Sequence, residues 1–148
     1  MNLFDLELTL DDDDPDGYHT WYRRLAPELG GARVAFNVFE LPPGQSVCPY
    51  HYENGEEEWI VVLTGRPTLR TPHGEQELRP WDCVFCPIGE AGAHKVTNNG
   101  DEPARIIIWS NRANPATSVY PDSNKVGAWP PGKLFRLDDA VEYFEGER

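Results

Sequence analysis

Fourteen prolines and thirteen glycines punctuate this 148-residue chain, so it can hold only short regular elements. Proline interrupts helix interiors and central strands alike, and clusters of Pro and Gly mark turns. Between the breaks, apolar residues recur with period two, the signature of half-buried strands. Phe4, Leu6, Leu8 and Leu10 alternate with Asp5, Glu7 and Thr9, which predicts a strand over residues 3–10. Further strands are expected over 32–41, 46–53, 57–64, 68–70, 75–78, 83–86, 94–97 and 104–109. Thr71-Pro72-His73-Gly74 reads as a hairpin turn, and Asn99-Gly100 reads as a second hairpin joining 94–97 to 104–109. Residues 21–29 have room for one helical turn before Gly30-Gly31. Eight or nine short strands at regular spacing point to a sandwich or barrel.

The remainder is assigned by elimination. Residues 111–136 are Pro-rich and read as an irregular segment wrapping the core. Asp138 is positioned to cap a short last helix, with Ala140, Val141 and Phe144 on its inner side. The chain is one domain. Residues 1–31 form an N-terminal strand and acidic loop, 32–110 the barrel, and 111–148 the wrap and short helix.

Charge narrows the partners. The net charge is −12, concentrated at the two ends, with the acidic run Asp11 to Asp14 read as a solvated loop. Such a chain is no phosphate-backbone binder, so nucleic acid is not an expected partner. No apolar run approaches 18 residues, and no membrane association is expected. The first residues lack the basic start and apolar block of a secretory signal, and three cysteines are too few for a disulfide framework. A cytoplasmic protein is the resulting expectation.

Four residues carry candidate chemistry. His51 and Glu53 sit at i and i+2 of one expected strand and therefore share a face. Glu58 opens the next strand, and His94 opens a later one. Strand mouths in a barrel converge, and two imidazoles with one or two carboxylates make a common ligand set for Zn, Fe, Mn or Ni. Glu53 is either a fourth ligand or a carboxylate acceptor beside the site. Cys83 and Cys86 have redox spacing, but i and i+3 of a strand face opposite sides, so they read as packed thiols. Cys48, three residues before His51, is expected to face away from the site by the same rule. His19 and His73 read as exposed.

These stretches resemble the two motifs of the cupin superfamily. Glu58 and Gly65, with His51 and position 53 ahead of them, match the first motif, except that Glu53 stands where a second His is usual. Pro87, Gly89, His94 and Asn98 match the second, with two extra residues between Gly89 and His94. Trp81 occupies a position where that family usually has a turn glycine. The resemblance spans roughly residues 32–127. It implies an all-β fold, a cupin-type double-stranded β-helix or jelly-roll barrel with a short C-terminal helix. It also implies one divalent metal ion per chain on His51, Glu58 and His94, with Glu53 carried over less directly. A homodimer is expected, because cupins often pair through sheet edges and the N-terminal strand needs a partner. The expected function is a metal-dependent enzyme acting on a small polar or phenolic molecule. Dioxygenase-type chemistry ranks slightly ahead of isomerase-type, and a non-catalytic small-molecule binding module is the alternative. Metal affinity is expected to weaken below about pH 6, where imidazole protonates.

Overall fold

The computed structural model describes residues 1–11 and 13–147; Asp12 of the acidic run lies outside them. Among the described residues, thirteen strands form two facing layers. The first is one antiparallel sheet in the order β1-β2-β3-β10-β5-β8. Its strands are β1 (Thr9–Asp11), β2 (Thr20–Arg24), β3 (Val34–Leu41), β10 (Ala104–Asn111), β5 (Glu58–Thr64) and β8 (Cys83–Cys86). The second layer is built from two smaller sheets. One holds β7 (Gly74–Glu77), β6 (Thr68–Thr71) and β9 (Lys95–Thr97); the other holds β13 (Lys133–Arg136), β12 (Lys125–Trp129), β11 (Ala116–Tyr120) and β4 (Tyr52–Glu53). Two single bridges along residues 46–51, Ser46 to Thr97 and His51 to His94, stitch these together. The result is the jelly-roll barrel expected from the sequence.

Period two decides what fills it. On β5, Ile60 and Val62 point inward, and on β10 Ile106 and Ile108 do; Leu41, Leu69, Leu78 and Val96 complete the buried core. Glu58 has the same parity as Ile60 and Val62, and His94 the same parity as Val96, so a strand that buries its apolar residues aims these polar ones into the barrel too.

The N-terminal strand expected over 3–10 is a strand only at Thr9–Asp11. Leu6 instead inserts, with Leu25, against Val38, Leu63 and Ile107 on the outer face of the first sheet, flanked by Leu3 and Leu8. Burying one such leucine stabilises by roughly 1.5–3 kcal/mol, which strand pairing at an edge would not supply. This partner lies within the chain, so the segment no longer gives a reason to expect a second subunit there. The helical turn before Gly30 is α1 (Leu25–Glu28).

Residues 111–136 are not irregular. They form β11, β12 and β13, and the prolines that disguise them (Pro115, Pro121, Pro130 and Pro131) all stand just outside the strands. Residues 94–97 and 104–109 do not form the expected hairpin, because β9 pairs with β6 while β10 pairs with β3 and β5. The buried Asn98 explains the crossing. Its side-chain amide donates to Leu41 O and Glu102 O, both at 2.8 Å, and so closes a turn that carries the chain from one layer to the other. The short C-terminal helix is a 3-10 turn at Leu137–Asp139. Val141 and Phe144, expected on its inner side, are exposed because the turn ends at Ala140, which is extended. Among the described residues no helix is long and apolar enough to cross a membrane.

Trp81 has φ of 73° and is 69% exposed, so a bulky side chain holds the left-handed conformation of a turn glycine while burying little. The turn is closed by the Asp82 N–H on Arg79 O at 2.9 Å, and the Trp81 N–H ties it to Val62 O of β5 at 2.7 Å. A Cβ in that conformation costs roughly 1–2 kcal/mol. Trp81→Gly should therefore exceed Trp81→Ala in unfolding free energy by about 1 kcal/mol, read as a higher urea midpoint; equal midpoints would show that the turn carries no such strain.

Candidate metal centre

The site lies in the seam where the two halves of the second layer meet. His51 and His94 face each other across their bridge, exchanging backbone hydrogen bonds of 3.1 and 2.9 Å. That pairing places the two imidazoles side by side, with ring centroids 4.8 Å apart. Glu58 reaches them from β5 in the opposite layer. Its Oε2 lies 3.3 Å from His94 Nε2 and 3.8 Å from His51 Nε2. The ligand atoms of His51, Glu58 and His94 all lie within 4.8 Å of one another.

Backbone carbonyls set both tautomers. His51 Nδ1–H donates to Pro49 O at 3.0 Å, and His94 Nδ1–H donates to Gly92 O at 2.9 Å. A carbonyl only accepts, so both Nδ1 atoms carry the hydrogen and both Nε2 lone pairs face Glu58. Metal-binding histidines are oriented in this way. Glycine is essential behind His94: a Cβ on Gly92 would sit 1.7 Å from Pro87 O. The two extra residues before His94 are taken up there, in a 3-10 turn at Glu90–Gly92.

Electrostatics agree with a cation site. Glu58 Oε2 is buried without a hydrogen-bond partner, a costly condition that a bound cation would relieve. Burial, with Glu53 and Glu56 nearby, pushes the Glu58 carboxyl up to about 7. Burial likewise raises Glu53 to about 7, against the Ser118 hydrogen bond. Burial and the neighbouring His94 depress His51 to about 4, and burial also lowers His94. The imidazoles are therefore neutral at physiological pH, and the carboxyls are the groups that titrate near neutrality. Two neutral nitrogens and a carboxylate fit a divalent ion of borderline or hard character.

This moves the expected pH dependence. Protons compete at the carboxyls, so metal affinity should fall by about tenfold per pH unit for each proton displaced, beginning near pH 7 instead of pH 6. Titration of the metal-free protein with Mn2+ between pH 5.5 and 8 checks this; a plateau down to pH 6 would return the effect to the histidines.

Glu53 stands beside the three-residue group. Its Oε1 is 3.6 Å from His51 Nε2, and its Oε2 accepts a 2.8 Å hydrogen bond from Ser118 Oγ. Ser118 Oγ in turn accepts from Trp129 Nε1–H at 3.2 Å. Ser118 and Trp129 come from the segment read as irregular. The signal that could have found them is its alternation, since Ala116 and Ser118 are both buried at i and i+2 between two prolines. Tyr120 stacks on His51 with centroids 5.8 Å apart. Cys48 does not face away: its Sγ lies 3.6 Å from His51 Nδ1, because residues 46–51 touch the sheets only at isolated bridges and do not keep strand alternation. Cys83 is exposed and Cys86 buried, as opposite faces require. Burial and Glu58 hold the Cys86 thiol up near 12, so it stays protonated. His73 is exposed, whereas His19 is half-buried and its backbone N–H is held by Gln45 Oε1 at 2.9 Å.

A cavity of about 520 Å3 opens beside this site, between α1, the start of β3 and the β11–β12 hairpin, and Glu53 and Ser118 form part of its wall.

Residues 37–110, half of the chain, match the cupin domain family. The chain belongs to the cupin family, and His51, His94 and Glu58 form a cluster able to hold a metal ion. No protein of curated function matches it. Among solved structures it is similar to a sugar phosphate isomerase of the cupin superfamily from Silicibacter pomeroyi, with 24% identity over 98% of this chain and 97% of that one and a TM-score of 0.83. A protein of Acidithiobacillus ferrooxidans provisionally named for the same activity gives 23% identity, 95% and 91% coverage, and a TM-score of 0.84. The polyketide cyclase RemF from Streptomyces resistomycificus gives 25% identity, 78% and 81% coverage, and a TM-score of 0.61. The first two likenesses define the fold over nearly the whole chain and leave the reaction to the site.

Proposed function

We propose that this protein is a metal-dependent enzyme that moves a proton on a small polar or phenolic molecule, an isomerase-like reaction. His51, Glu58 and His94 would hold one divalent ion (Fe, Mn, Zn or Ni). When bound, the ion supplies Lewis acidity toward an oxygen of the molecule. The observation that carries the reading is the placement of Glu53. Ser118 occupies one carboxylate oxygen, and the other faces the cluster from the wall of the adjoining cavity. A carboxylate anchored on one side can take a proton from a bound molecule and return it at a neighbouring atom without leaving its place. Trp129, through Ser118, fixes the orientation. A base that takes a proton and returns it at a neighbouring atom suits isomerase-type chemistry, which we rank ahead of dioxygenase-type chemistry, where the same carboxylate would only deprotonate the bound molecule.

The test begins with elemental analysis of the purified protein and mass spectrometry of any co-purified molecule. The metal-loaded protein is then incubated in D2O with that molecule or with a panel of small hydroxy-carbonyl compounds. Incorporation of solvent deuterium supports proton transfer. A bound molecule retained with no exchange and no turnover would instead make the domain a binding module.

A further inference from the structure

The cavity that shares Glu53 with the metal cluster is also lined by Arg24 and Arg112. Arg24 ends β2, immediately before α1, and Arg112 follows β10, so the two approach the cavity from separate elements. Four other arginines are neutralised within the chain: Arg23 by Glu28, Arg66 by Glu77, Arg70 by Asp122 and Arg105 by Glu40. Among the described residues, Arg24 and Arg112 have no carboxylate within ion-pair distance; the same holds for Arg33, Arg79 and Arg136, but only Arg24 and Arg112 line this cavity, together with Glu53 and Glu56. Glu56 keeps its charge, but its two oxygens are turned to the Ala113 N–H at 2.9 Å and to Ser110 Oγ at 3.3 Å. Arg24 instead leans on the Tyr22 ring, 5.7 Å from its centroid, a contact that positions a guanidinium without cancelling its charge. Asn37 adds a side-chain amide to the same wall.

A chain of net charge −12 repels anions at long range, so an anionic ligand can settle only where positive charge is local and unspent. Guanidinium groups present paired donors that match the oxygens of a carboxylate or phosphate. We propose that Arg24 and Arg112 form an anion subsite, and that the substrate is a small molecule carrying a carboxylate or phosphate at the end remote from the reacting atoms. The anion rests on the two arginines, and the uncharged end turns to Glu53 on the same wall. The inference rests on reading this cavity as the substrate pocket of the metal-dependent site.

Calorimetric titration at low ionic strength tests it, with inorganic phosphate and acetate as separate probes of the two anion types. The wild type should bind at least one of them, and Arg24→Gln/Arg112→Gln should weaken that binding by about tenfold or more. The paired lysine variant should restore part of it. Glu58→Gln should leave it intact, because the subsite is separate from the metal cluster. Absence of binding to wild type, or unchanged binding in the double glutamine variant, overturns the proposal. So does binding that survives in the double variant but is lost in Glu58→Gln, which places the anion on the metal. Mn2+ titration of the same variants is read independently: arginine-dependent anion binding without metal binding upholds the subsite and rejects the metal-dependent reading.

Discussion

His94→Ala should abolish tight binding of a divalent metal. The imidazole is buried, its Nδ1 is committed to Gly92 O, and its Nε2 lies 3.3 Å from Glu58 Oε2, so no neighbouring nitrogen can take its place. Loss of a partner that merely orients a ligand costs about 10–100-fold in affinity, and loss of the ligand itself should exceed the upper end of that range. The fold should survive. The bridge between His51 and His94 is made by backbone atoms, which alanine keeps. Far-UV circular dichroism separates the two outcomes: an unchanged spectrum with Mn2+ or Zn2+ affinity lost by more than about a hundredfold is the expected result. Glu58→Gln provides a second variant with the same expectation, since it keeps the shape and removes the charge that faces both imidazoles. If both variants bind metal as tightly as wild type, the cluster is not a metal site.

The second large effect is expected at Glu53. Glu53→Gln retains the hydrogen bond from Ser118, because the amide carbonyl still accepts, yet it cannot exchange a proton. Deuterium exchange into the substrate should fall by about 10²–10⁴-fold, the range for loss of a general base. Metal affinity should stay within a few-fold of wild type. Ser118→Ala should lie between, since the carboxylate remains but is no longer anchored. If Glu53 were a ligand, Glu53→Gln would instead weaken metal binding by at least about tenfold. The two readings therefore differ in which quantity moves.

Much of this was legible before any coordinates. The short alternating runs and dense turn residues dictate a β-barrel, because local backbone preference and the burial of one strand face depend only on neighbours in the chain. Parity alone puts His51 with Glu53 and aligns Glu58 with Ile60 and Val62. The motif spacing marked all four candidate residues. What parity does not specify is which strand meets which. The pairing of His51 with His94, the crossing at Asn98 and the docking of the 111–136 strands onto β4 arise from contacts between residues 40 to 70 positions apart, whereas those strands pair with one another locally. The role of Glu53 depends on Ser118, 65 residues away. Cys48 turned toward His51 because its segment is held by single bridges and so escapes strand alternation. Leu6 left its expected strand because an apolar surface on the far side of the sheet offered more burial than an edge. Local patterning thus determined the class of fold and the chemistry it could carry. Long-range pairing, driven by burial that no single segment achieves alone, decided how those groups meet.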